Sequence, residues 1–533
     1  QKIDEQCDVF ARVSFDQAKG TTNFQYAAGE PASSSFHSLI NYADTEFFYL
    51  NQAMDTPREA SKASYGYEPE KLTSYSWSGT YRGKRLGTDY ALGYRYYVIE
   101  NYPTNEERWV GESVPFGAVE LEEASYDRTK ARVYRVDEDY LPVLGHGVDK
   151  TKLYRMGKTD DTKSDFYGTW ARNSAVVHAN NVRNGLILAC GAILDDDVEL
   201  PSSFSFGKPI SVSPAPSSVY DINIMTFGGA NGFNATKYTA NDGDYLFPSA
   251  SHAQEYNDST LGYFFEHNQE AVKVTGYEDY ASGVDRLVLT PKKGTFFSDD
   301  ENGAYFQITY APNASTRDLN GKSFLNQPRV IFFDENHQAV GYDATTFGIV
   351  GASGETNAYY SGYTASCGFY AKGKVASICI IWRNYKSFVE TISPSNFIVS
   401  PVPYSYLEEN RSLINSLKLE NVKKAVNGYT FETNYEEDTI VVTQLGYDDG
   451  WKVTSQDENG VYTELKTLRL DGGLQGFLAP KGKNTYVMEY VTPGLSVGVY
   501  LAVAGMTALV GYSLLSFAFG VRKEKKLAAS SFD

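Results

Sequence analysis

An uninterrupted apolar stretch near the C-terminus is the feature that most limits how this chain can fold. Residues 495–521 (LSVGVYLAVAGMTALVGYSLLSFAFGV) are 27 positions without a charged side chain. An α-helix needs roughly 20 residues to cross the bilayer core. The next five residues, 522–526 (RKEKK), contain four basic side chains, and the positive-inside rule assigns such a segment to the cytoplasm. We therefore predict a transmembrane helix over 495–521, a cytoplasmic tail over 522–533 and an extracytoplasmic location for the residues before the helix.

The beginning of the chain leaves the route of export open. It reads QKIDEQCDVF, without an initiator methionine, a basic segment or the apolar segment of a signal peptide. Either a signal peptide has been removed, or further membrane helices precede Gln1. A single helix offers no pathway for a transporter or a channel.

Composition excludes one class of partner and favours a β-rich fold. The formal net charge of −18 argues against a nucleic-acid partner, because such a surface would not neutralise phosphates. The chain contains 42 tyrosines and 30 phenylalanines. Aromatic side chains suit the half-buried surface of a sheet, and their faces also stack on sugar rings. Packing and carbohydrate contact are thus both open for individual positions.

No metal or cofactor motif is present in the sequence. The four cysteines (Cys7, Cys190, Cys367 and Cys379) form no CxxC pair, and the six histidines form no HExxH motif. Cys367 and Cys379 flank a predicted hairpin, where they form either a disulfide in an oxidising compartment or two buried thiols. We predict no cofactor.

Three acidic segments offer an alternative to that prediction. Residues 195–199 (DDDVE), 241–244 (NDGD) and 299–301 (DDE) could hold a divalent cation such as Ca²⁺ through oxygen ligands. None matches the calcium loop of an EF-hand. Because Asp, Asn and Gly favour turns on their own account, we interpret these segments as solvated turns.

Hydrophobic patterning predicts an α+β, mostly β chain made of consecutive units. Residues 1–195 mix helical and strand patterns, with strands at 91–99 and 131–136, and form an extracytoplasmic α+β domain. Residues 196–400 contain short apolar runs between polar turns, typical of an inserted β-sandwich, with the clearest hairpin at 329–342. Residues 401–494 begin with a helix over 404–417 and continue as a membrane-proximal antiparallel β domain. That domain leads directly into the transmembrane helix.

One turn in the membrane-proximal domain is a candidate site. The segment 447–453 (YDDGWKV) places an acidic turn, a glycine, a tryptophan and a lysine between two strands. Tyr447, Asp449, Trp451 and Lys452 could contact a sugar or the membrane interface. A turn with Gly450 at positive φ, followed by a tryptophan that packs on the sheet, explains the same residues structurally.

The order of several motifs resembles that of a known family. The C-terminal series is YDDGWKV at 447–453, GFLAPKG at 476–482, VMEY at 487–490 and PGL at 493–495, directly before the apolar helix. Further upstream lie SFHSLIN at 35–41, LGYRYYV at 92–98, and VYRV at 133–136 followed by a Leu-Pro pair at 141–142. This series resembles the bacterial YfhO family of multi-pass membrane proteins. The resemblance covers about residues 1–150 and 400–525 and leaves the middle of the chain unexplained.

The resemblance implies a GT-C-type glycosyltransferase, which transfers a sugar from a polyprenyl-phosphate carrier to an acceptor at the outer face of the membrane. In related enzymes the catalytic carboxylate lies on an early loop between N-terminal membrane helices, so no catalytic residue of this chain can be assigned. The leading hypothesis is the extracytoplasmic portion of such an enzyme, modifying cell-envelope polymers in a bacterial cell membrane. The alternative is a surface protein anchored by one helix that binds carbohydrate without catalysis. The donor sugar, the acceptor, the oligomeric state and the role of residues 196–400 are not legible from the sequence.

Overall fold

A computed structural model describes residues 10–16, 86–100, 114–122, 131–155, 178, 182, 185–195, 198–200, 223–239, 284–310, 329–336, 339–344, 365–383 and 393–530. The described chain is mostly β, as predicted, and ends in one long apolar helix. The predicted features at 35–41 and 241–244, together with Cys7, lie outside the described residues.

The elements follow one another along the chain in an order that matches the predicted succession of units. The strands of the first part are β1 (Arg12–Asp16), β2 (Tyr94–Glu100), β3 (Ala118–Glu120), β4 (Ala131–Val136), β5 (Gly145–Val148), β6 (Leu153–Arg155) and β7 (Ala192–Leu194). Those of the middle part are β8 (Met225–Thr226), β9 (Phe233–Thr239), β10 (Val284–Pro291), β11 (Ala304–Tyr310), β12 (Arg329–Phe333), β13 (Ala339–Ala344), β14 (Ala365–Ala371), β15 (Ser377–Arg383) and β16 (Phe397–Pro403). The last strands are β17 (Glu420–Ala425), β18 (Gly428–Tyr435), β19 (Thr439–Gly446), β20 (Trp451–Gln456), β21 (Tyr462–Leu465), β22 (Thr467–Leu470), β23 (Leu474–Ala479) and β24 (Gly482–Tyr490). The helices are α1 (Leu86–Leu92), α2 (185–190), α3 (Tyr404–Ser416) and α4 (Leu495–Ser530).

The middle part is a β-sandwich, as the short apolar runs predicted. One sheet has the order β13-β12-β15-β10-β9 and the other the order β14-β11-β16-β8. Their facing sides share a core of aliphatic and aromatic residues, with Phe306 and Phe332 in ring contact at a centroid distance of 4.7 Å. The predicted hairpin at 329–342 is confirmed, because β12 and β13 pair antiparallel.

The last part of the chain forms two further sheets together with strands from the first part. One has the order β17-β18-β24-β20-β21 and the other the order β5-β19-β23-β22-β7-β6. In the second sheet β5 pairs antiparallel with β19, so residues before the inserted sandwich and residues after it share one sheet. A smaller sheet of order β1-β2-β4-β3 packs against this sheet through a common core.

Buried tyrosines show which use of the aromatic residues dominates in the interior. Tyr96, Tyr370 and Tyr486 are among the largest fully buried side chains. Tyr486 stacks on Phe431 at a centroid distance of 5.1 Å, and both pack on Phe477. At these positions the aromatic side chains serve packing rather than carbohydrate contact.

Helix α1 corrects one predicted strand boundary. The run 91–99 was predicted to be a single strand, but residues 91 and 92 belong to α1, and β2 begins only at Tyr94. Gly93 lies between them with a φ of 70°, and its N–H bonds the carbonyl of Tyr90. A glycine in the left-handed region ends a helix at low cost, because it has no Cβ to clash.

The two cysteines near the predicted hairpin do not form a disulfide. Cys367 lies on β14 and Cys379 on β15, and both carry thiols. These strands do not form the predicted hairpin, because they belong to opposite sheets of the sandwich. The period of two in each strand predicts its pleat, but it does not say which sheet the strand joins.

Helix α4 is the only helix, among the described residues, that is long and apolar enough to cross a membrane. Together with the family match reported below, it supports membrane association. It extends to Ser530, nine residues beyond the predicted end at 521, because Lys, Glu, Leu and Ala are all good helix formers. Four residues, 491–494, separate it from β24.

Candidate functional site

The predicted turn between β19 and β20 is held together by Asp448. The Asp448 carboxylate accepts a hydrogen bond from the N–H of Gly450 at 2.7 Å. The Asp448 carbonyl accepts another from the N–H of Trp451 at 3.1 Å. This is the local bonding by which an aspartate stabilises a turn of its own backbone.

Tyr447 and Asp449 are brought together by the same turn. The Tyr447 hydroxyl donates to Asp449 Oδ1 at 3.1 Å, in an exposed position. The Tyr447 N–H donates to the carbonyl of Gly473, which anchors the turn to the connection between β22 and β23. The hydroxyl and the carboxylate therefore face solvent as a bonded pair.

Gly450 is required for a different reason from the predicted one. The sequence suggested a glycine at positive φ, but Gly450 is not among the residues with positive φ. A Cβ at this position would lie 2.6 Å from Cε2 of Tyr490 and 2.8 Å from the carbonyl oxygen of Val491. Close approach of the last residues of β24, and not backbone handedness, excludes a side chain here.

Trp451 packs on the sheet, whereas Lys452 points outward. The Trp451 ring contacts Tyr490 edge-on, with centroids 5.2 Å apart, and is half-buried against the core of the membrane-proximal sheets. Desolvation and the nearby Asp448 carboxylate raise the pKa of Tyr490, so its hydroxyl stays protonated. Lys452 is exposed and lies opposite Glu489 on β24.

All four predicted site residues lie at the end of the sheet from which α4 leaves. Tyr490 is the last residue of β24, and α4 begins five positions later. The N–H of Val491 donates to the carbonyl of Gly450 at 2.8 Å, which ties the turn to the segment that enters the helix. The turn therefore borders the start of the membrane helix.

Replacing Trp451 by alanine tests whether this residue is structural. We expect the free energy of unfolding to fall by about 2 kcal/mol, because a half-buried ring loses its packing on Tyr490. Trp451→Phe should retain most of this stability, and Lys452→Ala should leave it unchanged. Urea unfolding of the full chain in detergent measures all three. Wild-type stability of Trp451→Ala, combined with loss of ligand binding, would instead assign the ring to direct contact.

A second candidate site is a cleft where the first part of the chain, the sandwich and α3 meet. Its volume is about 530 Å³. Its lining consists of Val114, Pro115, Phe116, Gly117, Ala118, Glu301, Asn302, Lys372, Gly373, Tyr404 and Glu408. Two carboxylates, an amide and an ammonium group around aromatic rings provide the hydrogen-bonding groups that a polar ligand such as a sugar requires.

The acidic segment 299–301 contributes to this cleft in a different way from a cation site. Asp300 accepts hydrogen bonds from the N–H groups of Ser405 at 2.7 Å and Asn302 at 2.9 Å. Burial opposes ionisation, but these hydrogen bonds hold the pKa of Asp300 below its ordinary value. Asp300 thus caps the start of α3, and Glu301 forms an ion pair with Lys374 at 3.1 Å. No metal-binding group of three acidic, His or Cys side chains occurs among the described residues.

The acidic segment 195–199 is only partly described. Asp195 is buried and lies 3.4 Å from Nε of Arg469 on β22. Asp196 and Asp197 lie outside the described residues. Where it is described, the segment joins the first part of the chain to the membrane-proximal sheets.

Sequence reasoning did not find the cleft, since its walls come from three segments that are distant along the chain. Only 299–301 had been singled out, and then as a turn or a cation site. The aspartate and glycine at 471 and 472 were also missed, although an Asp-Gly pair between apolar runs is a strong hairpin signal. Both residues have positive φ, 55° and 77°, as a type I′ turn requires.

Solved structures with some similarity to the chain support no inference about its fold or function. The formate complex of oxalate decarboxylase from Lactobacillus farciminis is 8% identical over 39% of this chain and 73% of that chain, with a TM-score of 0.10. Oxalate decarboxylase from Bacillus subtilis at pH 4.6 is 9% identical over 39% of this chain and 65% of that chain, with a TM-score of 0.09. No curated protein matches the chain.

The family comparison, by contrast, matches the part of the chain that contains the predicted turn. Residues 390–502 match the family described as bacterial membrane protein YfhO. The matched segment begins just before β16, includes α3 and the turn at 447–453, and ends within the first turns of α4. The resemblance inferred from the sequence motifs is therefore confirmed over this segment, and there the chain is a YfhO-family membrane protein.

Proposed function

We propose that this chain is the extracytoplasmic portion and last helix of a multi-pass, GT-C-type membrane glycosyltransferase. Such an enzyme takes a sugar from a polyprenyl-phosphate carrier and adds it to a cell-envelope polymer. The observation that carries the proposal is the family match over residues 390–502, which runs without interruption from the membrane-proximal sheets into the membrane helix.

In this proposal the described residues act on the acceptor side. The chemical step belongs to a carboxylate between N-terminal membrane helices, for which no residue of this chain is assigned. The cleft beside α3 is the proposed site for the acceptor polymer, because its rim carries Glu301, Asn302, Lys372 and Glu408 around the rings of Phe116 and Tyr404. Hydroxyl groups of a glycan can donate to the carboxylates and accept from the ammonium and amide groups.

Transfer activity tests the proposal directly. Membranes that contain the intact protein are incubated with a radiolabelled polyprenyl-phosphate sugar, and membranes from a deletion strain provide the control. We expect label in envelope polymer only when the protein is present. Equal incorporation in both preparations, across a panel of donor sugars, would overturn the proposal.

The role of the cleft is tested separately with a matched pair of variants. Glu408 lines the cleft, whereas its neighbour Glu409 is also exposed on α3 but does not. Glu408→Gln is expected to weaken transfer to the acceptor about tenfold, and Glu409→Gln to leave it unchanged, since a lost charge-assisted hydrogen bond costs 1–2 kcal/mol or about that factor. An equal effect of both substitutions would remove the cleft from the proposal.

A carbohydrate-binding surface protein anchored by α4 is the second candidate function. The cleft favours it, because an open site with mixed polar and aromatic lining can hold a glycan without any catalytic group. Binding to a glycan array that depends on Glu408, together with no transfer by the intact protein, would select this function instead.

The proposed orientation has its own test. A cysteine placed at Val461, which is 57% exposed in the connection between β20 and β21, should react with a membrane-impermeant maleimide in intact cells. A cysteine at Lys526 should react only after the cells are opened. The wild-type chain reports any labelling of the native cysteines. Reversal of this pattern would place the β domains in the cytoplasm and contradict the proposal.

A further inference from the structure

The connection between β17 and β18 exposes an apolar side chain to an unusual degree. Ala425 pairs with Gly428, so the connection consists of Val426 and Asn427 alone. Val426 is 99% exposed, the highest value among the exposed large hydrophobic residues of the described β sheets. A fully exposed valine at the tip of a hairpin has no packing partner in the fold.

This hairpin tip lies at the end of the sheet where the membrane helix begins. The carbonyl of Asn427 accepts a hydrogen bond from the N–H of Tyr490 at 2.8 Å, and Gly428 is the register partner of Glu489. Tyr490 is the last residue of β24, and only residues 491–494 separate it from α4. The tip and the first turn of α4 are thus joined through one short, hydrogen-bonded segment.

Other side chains at this end have the chemistry of a membrane interface. The Trp451 and Tyr490 rings are in edge contact, and Val491 beside them is 38% exposed. Tryptophan and tyrosine are enriched where a protein passes from water into lipid, because their rings are apolar with a polar edge. Aromatic and apolar groups therefore cluster beside the point at which α4 leaves the sheet.

We propose that the Val426 tip inserts into the interfacial layer of the bilayer crossed by α4, so that the sheet is held against the membrane at two points. The bilayer is the occupant because α4 fixes this end of the sheet beside it, and insertion removes the apolar side chain from water. With two contacts, the sheet is restrained from pivoting about the short segment 491–494. The proposal is independent of the glycosyltransferase function.

The charges around the tip define the kind of lipid contact. Lys423, Lys424 and Lys452 are exposed here, and the acidic residues Asp448, Asp449 and Glu489 lie on the neighbouring turn and strand. Three positive and three negative charges leave no net attraction to anionic lipid. Insertion should therefore be similar in zwitterionic and anionic vesicles.

The opposite end of the same sheet provides a matched control. Val461 is also an exposed valine in a connection between neighbouring strands, but it follows the far end of β20. The six residues of β20 place that end about 17 Å from Trp451, at a rise of about 3.3 Å per residue. A probe at Val461 should remain in water when a probe at Val426 is in lipid.

The test uses Val426→Cys and Val461→Cys in the full chain, each labelled with NBD and reconstituted in phosphatidylcholine vesicles. We expect the NBD emission at position 426 to shift to the blue and to be quenched about twofold by a spin label near the lipid headgroup. The probe at 461 should show neither effect. Labelling of the unmodified chain measures the contribution of the native cysteines.

Three outcomes would overturn the proposal. Identical, water-like emission at both positions would mean that the tip stays in solvent. A blue shift at 426 without quenching by the lipid spin label, increasing with the protein-to-lipid ratio, would assign the tip to contact with a second copy of the chain. Insertion seen only in anionic vesicles would make the contact electrostatic instead of apolar. Because Val426 has almost no contacts in the fold, none of these results can be attributed to unfolding.

Discussion

Replacing His178 by leucine is expected to destabilise the protein at pH 7 and to cost about 3 kcal/mol less at pH 4. His178 is completely buried between two strands of the sandwich. Its Nδ1 lies 2.7 Å from the hydroxyl of Thr309 on β11, and its Nε2 lies 2.8 Å from the hydroxyl of Ser400 on β16. A neutral imidazole serves both hydroxyls, since one ring nitrogen donates and the other accepts.

The pH dependence follows from the direction of the pKa shift. Burial lowers the pKa of His178 from its ordinary 6.5 to about 3. Above pH 6.5 the imidazole is neutral in both the folded and the unfolded chain, so its contribution is fully present. As the pH falls from 6.5 towards 3, only the unfolded chain takes up the proton, and this contribution is lost. By pH 4 the loss is about 2.5 pK units, or about 3 kcal/mol.

Leucine removes the titrating group and also the ring partner of two buried hydroxyls. At pH 7 His178→Leu should therefore cost about 2 to 4 kcal/mol. Urea unfolding of both chains in detergent between pH 4 and pH 7 gives the difference. His146, whose pKa burial lowers to about 4, titrates in the same window in both chains and cancels from it. A difference that stays constant across this range would show that His178 does not titrate with folding.

Much of the architecture was predictable, because it depends on signals within short segments. Helix α3 at Tyr404–Ser416 followed from helical spacing of its leucines, and the hairpin of β12 and β13 from two apolar runs around a polar turn. The membrane helix followed from length and lack of charge alone. In each case the residues that define the element are also its neighbours in the chain.

What could not be predicted depends on contacts between distant segments. The pairing of β5 with β19 joins residues almost 300 positions apart, and no local pattern distinguishes this partner from another. The cleft has the same origin, because Phe116, Glu301 and Tyr404 come from separate parts of the chain. Gly450 shows the limit at a single residue. The sequence indicated a turn glycine correctly, but only the position of Tyr490 reveals why a side chain is excluded.

At Asp471 the expected pH effect has the opposite sign to that at His178. Asp471 is buried in the turn between β22 and β23, where its N–H donates to the carbonyl of Ile193 and its Oδ1 accepts from the N–H of Ile193 at 2.7 Å. This reciprocal pair joins the turn to β7. Burial raises the pKa of Asp471 from 3.8 to about 7, although the hydrogen bond from Ile193 opposes the shift.

A raised pKa in a carboxyl group makes ionisation costly for the folded chain. Below pH 3.8 the group is protonated in both states, and its contribution to stability is fully present. As the pH rises towards 7, the unfolded chain ionises while the folded chain keeps its proton, so stability is lost. The full shift of about 3 units corresponds to about 4 kcal/mol above pH 7. His178 and Asp471 therefore act in opposite directions between about pH 4 and pH 6.5, and each conceals part of the other in the wild-type chain.

Asp471→Asn separates the two effects, because asparagine removes the ionisable group and keeps an oxygen that accepts from Ile193. Asparagine also tolerates the φ of 55° at this position better than most residues. We expect the variant to be up to about 4 kcal/mol more stable than the wild type at pH 8 and within about 1 kcal/mol of it at pH 4. Asp457→Asn is the control, since Asp457 is exposed and backbone hydrogen bonds from Val461 and Asn459 lower its pKa. That substitution should give no stabilisation at pH 8. An Asp471→Asn variant less stable than the wild type at pH 8 would mean that the buried carboxylate is ionised and held by partners that asparagine cannot replace.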